Sequence, residues 1–401
     1  MFIVYLLISV YLAYLLLATI YQLSLALLYF VIKERAPATA RGTNRFAIIV
    51  PAHDEELLIA KTLENLLQTR YPGDRRHIYV IADNCSDRTA LISSSYPCSV
   101  LIRTDAARKG KGFALEWALE QINLDQFDAV LILDADTTVD PIILSELDAM
   151  LMAGEKAIQC YITLPNRNES WFTQLIYVSR TINDKLYHHA KFKAGLSSYL
   201  MGTGMCFKAG LLKEKKWTAF TIGEDWEYFG QLIEQGVTIG FASKAVVFQQ
   251  ESRSLRQATT QRLRWSKGRS YVVKNLGLRL LFKGIAQKNC VMADASLALL
   301  FPNWSLQINL ILASLALSVF LPASVFKTAA MGIGLGMLAA QGIIFLVGVY
   351  LAGASWQVFK AVLAAPLFLI WKLGIDVLSM TGIYRGKEWI RTERHVSETK
   401  K

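Results

Sequence analysis

The sequence predicts an α/β domain with a mostly parallel sheet, combined with α-helical transmembrane segments. Three observations support this prediction. Short apolar runs alternate with segments of helical periodicity between about residues 44 and 270. Charged residues follow these runs at the positions where parallel strands would end. Long apolar stretches lie towards both ends of the chain, outside this central region.

Four short apolar runs in the central region are typical of β-strands. They are FAIIV (46–50), IYVIA (78–82), SVLIR (99–103) and AVLIL (129–133). Two segments between them, 55–69 and 110–122, carry apolar residues at helical spacing. Strands that alternate with helices favour a parallel sheet with right-handed crossovers.

Charged insertions follow each of the four predicted strands. They are PAHDEE (51–56), DNCSD (83–87), DAARKGKG (105–112) and DADTTVD (134–140). Ligands of open parallel sheets bind outside the carboxyl ends of the strands. Any one insertion would be a turn, but four at one edge predict a binding site. Because acidic and basic side chains are both present, the site suits a diphosphate bridged by a divalent cation.

The carboxylates of Asp134 and Asp136 follow a strand that should be buried, where a bare carboxylate is costly. Side chains at i and i+2 of a strand point to the same side, so these two can share one positive partner. The same stretch, with Asp140 and Pro141, also suits the turn that begins a helix. Taken alone, the motif leaves both interpretations open.

The apolar stretches are long enough to cross a bilayer. Residues 1–32, uncharged throughout, predict an N-terminal transmembrane helix, because a signal peptide would be shorter and would begin with basic residues. Residues 301–352 predict two more transmembrane helices, and 271–300 predict amphipathic helices at the membrane interface. The hydrophobic content of 53% and the mean hydropathy of +0.32 are high for a soluble protein, and these segments explain the excess.

The basic residues predict the orientation in the membrane. KERAPATAR follows the first span and no basic residue precedes it, which predicts a cytoplasmic domain over 44–270. The basic tail, 385–401, should lie on the same side, and this requires an even number of C-terminal spans. Residues 361–384 are therefore expected in the interface, because Lys372 and Asp376 are unfavourable in hydrocarbon, with a third C-terminal span as the alternative. The expected location is the cell (inner or plasma) membrane, with several spans.

The net charge of +11 indicates the kind of partner, and the cysteines indicate the redox state of the chain. The excess charge lies near the membrane segments and in 253–288, which favours anionic lipid headgroups and phosphate-bearing ligands over nucleic acid. The five cysteines lack a Cys-x-x-Cys spacing and are typical of reduced thiols in a cytoplasmic domain.

With these motifs in order, the sequence resembles the membrane-integrated family 2 glycosyltransferases, the group that contains cellulose, chitin and hyaluronan synthases. The resemblance covers about 46–270 and implies a Rossmann-like GT-A fold. IIVPAHDEE resembles the strand that contacts the nucleobase, and IADNCSD resembles the acidic turn after it. DAD is similar to the metal-binding Asp-x-Asp, and MGTGMCFKAG (201–210) to the acceptor-side loop. GED (223–225) is similar to the Thr-Glu-Asp motif, and QRLRW (261–265) matches the Gln-x-x-Arg-Trp signature.

The resemblance implies a nucleotide-diphosphate sugar as donor, expected to be a UDP-sugar, with Mg²⁺ or Mn²⁺ as cofactor. A hard cation with oxygen ligands stabilises charge on the departing phosphate. Asp136 is expected to bind the metal, with Asp134 near the metal or the ribose. Lys109 and Lys111 could reach the diphosphate, or belong to a solvated basic turn. The expected donor-binding residues are Pro51, His53, Glu55, Asp83, Lys109, Lys111, Asp134, Gln261, Arg264 and Trp265.

The acceptor hydroxyl needs a base that takes its proton as it attacks. Asp225 matches the base of the family motif, and Glu224 would orient the base or the acceptor. Alternatively, GEDWEYFGQLIEQG is only a helix whose acidic first turn suits the helix dipole. Gly223 stands where the family usually has threonine, which bears on how the acceptor is held. A single displacement inverts the anomeric carbon, so an α-linked donor would give a β-linked product.

The QRLRW motif is expected on a helix that begins near residue 256. Arg264 suits the diphosphate because its planar guanidinium binds such oxygens in a bidentate manner. Trp265 offers a flat apolar face for an acceptor sugar, and an amphipathic interface helix would explain the same segment. The expected acceptor-binding residues are Gly202, Thr203, Gly204 and Trp265.

The predicted function is inverting sugar transfer that forms β-linkages in a cell-surface polysaccharide or oligosaccharide. The alternative is nonprocessive transfer of one sugar to a polyprenyl-phosphate or another lipid-linked acceptor. QRLRW favours chain extension, whereas about three spans could hardly enclose a polysaccharide tunnel. The expected partners are the donor, a carbohydrate or lipid-linked acceptor and membrane lipids, without nucleic acid. The sequence leaves open the sugar, the linkage, and the need for a second copy or an export partner.

Overall fold

The computed structural model describes residues 2–34, 40–353 and 355–381, so the predicted tail at 385–401 lies outside the described residues. Eight strands form one sheet. The strands are β1 (Phe46–Ala52), β2 (Arg76–Asp83), β3 (Ser99–Arg103), β4 (Ala129–Ile132), β5 (Thr137–Val139), β6 (Ala157–Thr163), β7 (Met205–Lys208) and β8 (Ile239–Gln249).

The strand order in the sheet is β3-β2-β1-β4-β7-β6-β8-β5. The pairings of β1 with β2 and β4, of β2 with β3, and of β6 with β8 are parallel. The pairings of β7 with β4 and β6, and of β5 with β8, are antiparallel. The predicted α/β domain with a mostly parallel sheet is confirmed, and the carboxyl ends of β1, β2, β3 and β4 meet at one edge.

Helices surround this sheet and extend beyond it at both ends of the chain. The α-helices are α1 (Phe2–Val31), α2 (Ile59–Leu67), α3 (Thr89–Ser93), α4 (Lys111–Gln121), α5 (Ile143–Met152), α6 (Trp171–Thr181), α7 (Ala190–Lys193), α8 (Ala209–Lys215), α9 (Glu224–Glu234), α10 (Leu255–Val272), α11 (Leu278–Ala286), α12 (Cys290–Leu300), α13 (Trp304–Val319), α14 (Val325–Leu351), α15 (Trp356–Val362) and α16 (Ala365–Met380). A π-helical segment, Ile182–His189, joins α6 to α7, and another, Val273–Gly277, joins α10 to α11. The helical run from α10 to α11 therefore crosses residue 270, where the sequence placed the end of the domain.

The apolar run predicted for β1 fits the position of this strand in the centre of the sheet. Its residues from Phe46 to Val50 are all buried, because helices cover both faces of the sheet. Ala47 and Ile49 pack with α4, α8 and α9, while Ile48 and Val50 pack with α2 and α5. The alternation of side chains along β1 thus divides the interior into two layers.

Two boundaries differ from the sequence prediction. The helix predicted over 55–69 begins only at Ile59, because Asp54 has a φ of 54° and the chain turns before α2. The strands β5 to β8 were not anticipated. Strand β5 has only three residues and is held by its pairing with β8, a contact between distant segments that a local pattern does not reveal.

Two helices in the described part of the chain, α1 and α14, are long and apolar enough to cross a membrane. The pairs α12–α13 and α15–α16 are each long and apolar enough, taken together, for one span, but they are bent by 67° and 56°. Length and composition therefore allow two spans, or up to four if each bent pair is one span.

A polar network joins three of these helices. Gln22 on α1 donates to Gln307 on α13 (2.7 Å), and Gln307 donates in turn to Thr19 (3.0 Å). Gln341 on α14 donates to Gln22 (2.9 Å), and the indole of Trp304 donates to Gln341 (2.7 Å). Gln307 and Gln341 are buried. Mutual hydrogen bonds of this kind satisfy amides that would be costly in an apolar surrounding.

Candidate active site

Three segments meet at Asp134, two residues beyond the end of β4. The ammonium of Lys111, at the start of α4, donates to the Asp134 carboxylate (2.5 Å) and to the carbonyl of Gly202 (2.6 Å). The backbone N–H of Asp134 donates to the hydroxyl of Thr203 (3.0 Å). Lys111 therefore connects the end of β4 to the loop predicted to bind the acceptor.

The glycines of that loop are required by its backbone. Gly202 and Gly204 have φ values of 82° and 64°, in the left-handed region. A Cβ at Gly204 would also lie 2.9 Å from side-chain atoms of Cys160 and Val247. The loop thus passes against β6 and β8 at a distance that only glycine permits.

Gln159, a polar residue in β6 that the sequence analysis did not select, holds the same loop. Its buried amide donates to the carbonyl of Thr203 (2.8 Å) and accepts from the backbone N–H of Met201 (2.8 Å). The signal available in the sequence was one glutamine in the otherwise apolar run AIQCYIT.

Glu224 and Asp225 lie in the first turn of α9. A Cβ at Gly202 would be 3.4 Å from a carboxylate oxygen of Asp225, which places this side chain next to the Lys111 contact. The other carboxylate oxygen of Asp225 accepts from the backbone N–H of Trp226 (2.8 Å). Both predicted catalytic residues therefore lie with Asp134 and Lys111 in one group.

Charges in this group act on one another at short range. Burial raises the pKa of both Glu224 and Asp225, and Asp134 raises them further, whereas Lys111 opposes the shift. Burial also disfavours the charged form of Lys111, but Asp134, Glu224 and Asp225 together raise its pKa. The ammonium thus stays charged among carboxylates whose proton affinity is increased.

A second group occupies the ends of β1 and β2. A ring nitrogen of His53 lies 2.7 Å from the carbonyl of Asp83. The guanidinium of Arg103, at the end of β3, contacts the carboxylates of Asp83 (2.6 Å) and Asp105 (2.9 Å). Burial raises the pKa of Asp83, and Arg103 opposes that rise. Arg103, which the sequence analysis did not select, therefore neutralises a predicted donor-binding carboxylate.

The remaining residues predicted at the strand ends differ in accessibility. Pro51 lies within β1, opposite Ile81 of β2. Glu55 is buried, and its backbone N–H donates to the hydroxyl of Thr89 (2.8 Å). Lys109 is exposed in the turn before α4. Of the two predicted lysines, Lys111 alone contacts Asp134, so the start of α4 contributes the more direct positive charge.

Asp134 and Asp136 provide hard oxygen donors, which suit Mg²⁺ or Mn²⁺. Within the described ranges, the one group of three His, Cys, Asp or Glu side chains close enough to share an ion is Asp54, Cys85 and Asp87. The Asp54 carboxylate, however, accepts from the backbone N–H groups of Ser86 (2.7 Å) and Asp87 (3.2 Å), so it already fixes that loop. A cation at Asp134 and Asp136 would need oxygens of the donor diphosphate as further ligands, as Mg²⁺ commonly does.

The QRLRW residues Gln261, Arg264 and Trp265 lie on α10, which begins at Leu255, close to the predicted start. The indole of Trp265 is 37% exposed, so part of the ring is open to a ligand. The guanidinium of Arg262 lies 4.9 Å from the centre of this ring and also binds the buried carboxylate of Glu251 (2.7 Å). The second residue of the motif thus helps to orient Trp265.

Helix α10 touches the start of α9 through two glycines. A Cβ at Gly268 would lie 2.8 Å from the backbone nitrogen of Gly223, and a Cβ at Gly223 would lie 3.1 Å from the carbonyl carbon of Gly268. The glycine at position 223, where the resemblance leads one to expect threonine, therefore has a packing explanation: it allows this backbone contact.

The sequence model of the family described as "Glycosyltransferase like family 2" matches residues 44–268. The chain belongs to this family. A probable glycosyltransferase of Bacillus subtilis, YdaM, is similar to this family 2 glycosyltransferase, with 27% identity over 238 residues. The match covers 57% of this chain and 56% of YdaM, so the chain spans about half the length of that relative.

Two further proteins are similar to this family 2 glycosyltransferase. The beta-monoglucosyldiacylglycerol synthase of Synechocystis sp. is 34% identical over 117 residues, which cover 26% of this chain and 24% of that protein. The structure of the mannosyltransferase PcManGT from Pyrobaculum calidifontis, in complex with GDP-Man and Mn²⁺, has a TM-score of 0.56 and 19% identity. It covers 87% of this chain and 99% of that chain, and the likeness shows the GT-A fold.

Removal of divalent cations is expected to abolish sugar transfer, because the carboxylates of Asp134 and Asp136 would then repel the donor diphosphate. Transfer should stop in excess chelator and return on addition of Mg²⁺ or Mn²⁺. The measurement is release of nucleotide diphosphate from purified protein in lipid. Full turnover in the chelator would contradict the predicted metal site.

Proposed function

We propose that the protein is a membrane-bound, inverting glycosyltransferase that moves a sugar from a nucleotide-diphosphate sugar, expected to be a UDP-sugar, to an acceptor at the membrane. One observation carries the proposal. Lys111 joins the strand-end carboxylate Asp134 to the carbonyl of Gly202, directly beside Asp225. The donor-side carboxylate Asp134, the ammonium of Lys111 and the half-buried carboxylate of Asp225, which can serve as base, thus lie within one group.

On the donor side, Asp134 and Asp136 would hold Mg²⁺ or Mn²⁺, which screens the charge of the diphosphate when bound. Lys111 and Arg264 supply positive charge for the phosphate oxygens. His53, beside the carbonyl of Asp83, lies at the strand ends where the nucleoside is expected.

On the acceptor side, Asp225 would take the proton of the attacking hydroxyl. The acceptor oxygen then bonds to the anomeric carbon while the bond from that carbon to the diphosphate breaks. The raised pKa of Asp225 suits this role, since a base works best when its pKa approaches the working pH. Because one displacement inverts the anomeric carbon, an α-linked donor gives a β-linked product.

The acceptor that we favour is a membrane lipid or lipid-linked molecule that receives one sugar. Mutual hydrogen bonds fill the contact between α1, α13 and α14, which leaves these helices poorly suited to enclose a polymer. The residues of this largely buried network are Gln22, Thr19, Gln307, Gln341 and Trp304. The name of the Synechocystis relative, a glucosyldiacylglycerol synthase, agrees with a lipid acceptor.

Elongation of a polysaccharide or oligosaccharide is the second candidate, because the QRLRW motif favours it. The size of the product separates the two. After incubation with radiolabelled donor and lipid extract, a single added sugar in the organic phase supports the lipid acceptor, and a ladder of water-soluble products supports elongation.

Replacing Asp225 by Asn is expected to lower the rate of transfer by about 10²–10⁴-fold, because the amide keeps the size of the side chain but cannot accept the proton. Nucleotide affinity should survive, since other residues hold the diphosphate and the cation. Asp136→Asn is the matched control: it removes one carboxylate of the Asp-x-Asp motif and should instead weaken nucleotide binding in the presence of Mg²⁺. Rates and nucleotide affinities of both variants are measured together. Near wild-type transfer by Asp225→Asn, or failure to bind the donor, would show that the base is another residue.

We further propose a cytoplasmic catalytic domain and a tail on the same side of the cell membrane. In a chain without its natural cysteines, single introduced cysteines report the side. We expect Ser95→Cys in the domain and Lys400→Cys in the tail to react from the cytoplasm, and Ala323→Cys between α13 and α14 to react from outside. Outside labelling at position 400 would instead make the segment 361–384 a third C-terminal span.

A further inference from the structure

We propose that the C-terminal helix α16 positions the general base: it holds α10 against the start of α9, with Ser266, Gly268 and Asp376 as positioning residues. The inference rests on the proposed role of Asp225 and adds how the base is kept in place. None of the three residues needs to touch a substrate for this role.

The contact between α16 and α10 is made at two polar points. The carboxylate of Asp376, 3% exposed, pairs with Lys372 one turn earlier on α16 and accepts from the hydroxyl of Ser266 on α10 (3.2 Å). The indole of Trp371 donates to the hydroxyl of Thr259 (3.0 Å). Because Thr259 and Ser266 are seven residues apart, they lie on one face of α10, and both ends of that face are fixed.

The charged side chains of α16, Lys372 and Asp376, point towards the neighbouring helices and are largely buried. Besides Lys372 and Ser266, the Asp376 carboxylate accepts from the side chain of Asn303, the N-cap of α13 (3.3 Å). Lys372 and Asp376, which led the sequence analysis to expect an interfacial helix, therefore do not by themselves require that location. A buried pair of this kind is often replaceable by apolar residues without loss of stability. Its specific partners on α10 and α13 point instead to a role in the alignment of α10.

Two residues beyond Ser266, the backbone of α10 meets the start of α9. A Cβ at Gly268 would be 2.8 Å from the nitrogen of Gly223, so the two backbones are in direct contact. The next residue, Arg269, lies over the ring of Trp226 (5.6 Å) and donates to the carbonyl of Phe301 (2.7 Å). These contacts fall on residues 223 and 226, on either side of Glu224 and Asp225.

A displacement of α10 would consequently move the first turn of α9. Backbone atoms in contact leave no flexible side chain to absorb a shift, and packed interiors transmit strain. A misplacement of about 1 Å at a reacting group can cost about 10²-fold in rate. A chain of contacts thus connects α16 to Asp225, through Asp376, Ser266, Gly268 and Gly223.

The first test removes both charges, so that no unpaired charge is left buried. We expect Lys372→Met/Asp376→Leu to keep its melting temperature and its nucleotide affinity but to lose about 10-fold or more in kcat for transfer. Ser379→Ala is the matched control on the same helix, because the hydroxyl of Ser379 donates to the carbonyl of Asp376 within α16 (2.8 Å). Its kcat should remain that of the wild type.

The second test compares two glycines that are equally crowded. Gly268→Ala should lower kcat, because its Cβ would push α10 away from Gly223. Gly284→Ala inserts a Cβ 2.6 Å from the backbone nitrogen of Ala293, between α11 and α12, and serves as the control. At matched melting temperature, we expect kcat to fall about 10-fold more in Gly268→Ala than in Gly284→Ala.

Either result can overturn the proposal. Wild-type kcat in the folded Lys372→Met/Asp376→Leu enzyme, or equal losses in the two glycine variants, would show that α16 and α10 contribute stability alone. Asp225→Asn is measured in the same assay. If that variant transfers at the wild-type rate, Asp225 is not the base, and the proposal that α16 positions the base is wrong as well. If it is inactive while the α16 and Gly268 variants are unaffected, only the positioning proposal is wrong.

Discussion

The contact between Lys111 and Asp134 is the interaction on which the candidate site depends. A carboxylate at the end of a buried strand needs a positive partner, and here that partner comes from the first residue of α4. The same ammonium binds the carbonyl of Gly202, so it also fixes the loop beside Asp225. One cation thereby limits the repulsion among Asp134, Glu224 and Asp225, which would otherwise oppose folding of the three segments against one another.

The helices outside the sheet contribute to the same site. Helix α10 carries the QRLRW motif and meets α9 at a glycine pair, while α16 and the N-terminus of α13 contact α10 through Asp376. The proposed catalytic carboxylates at the start of α9 are thus joined by short, direct contacts to the apolar part of the chain. If the proposed acceptor at the membrane reaches the site across these helices, the alignment of α10 would also bear on how the acceptor is held.

The local patterns predicted the first four strands of the sheet, and they selected most of the residues that meet in the candidate site. Strands β1 to β4 have uninterrupted apolar runs followed by charged turns, and each was predicted within a few residues. Strands β5 to β8 escaped prediction because their pairing partners are distant in sequence. The same reason explains Gln159 and Arg103: each acts through a partner on another segment, which spacing alone cannot identify. Gly223 seemed a departure from the family motif, and only the facing Gly268 explains it.

Lys111 is expected to control the protonation of the carboxylates around it, because its charge acts on Glu224 and Asp225 at short range. Burial raises the pKa of Asp225 and Lys111 lowers it, so Asp225, as the proposed base, should lose its function as pH falls through that pKa. The decisive measurement is the pH dependence of kcat in Lys111→Met, compared with the wild type and with Lys111→Arg. Without the cation, the acidic limb of the profile should move to higher pH, while Lys111→Arg should remain close to the wild type. An acidic limb at the same pH in Lys111→Met would contradict the account.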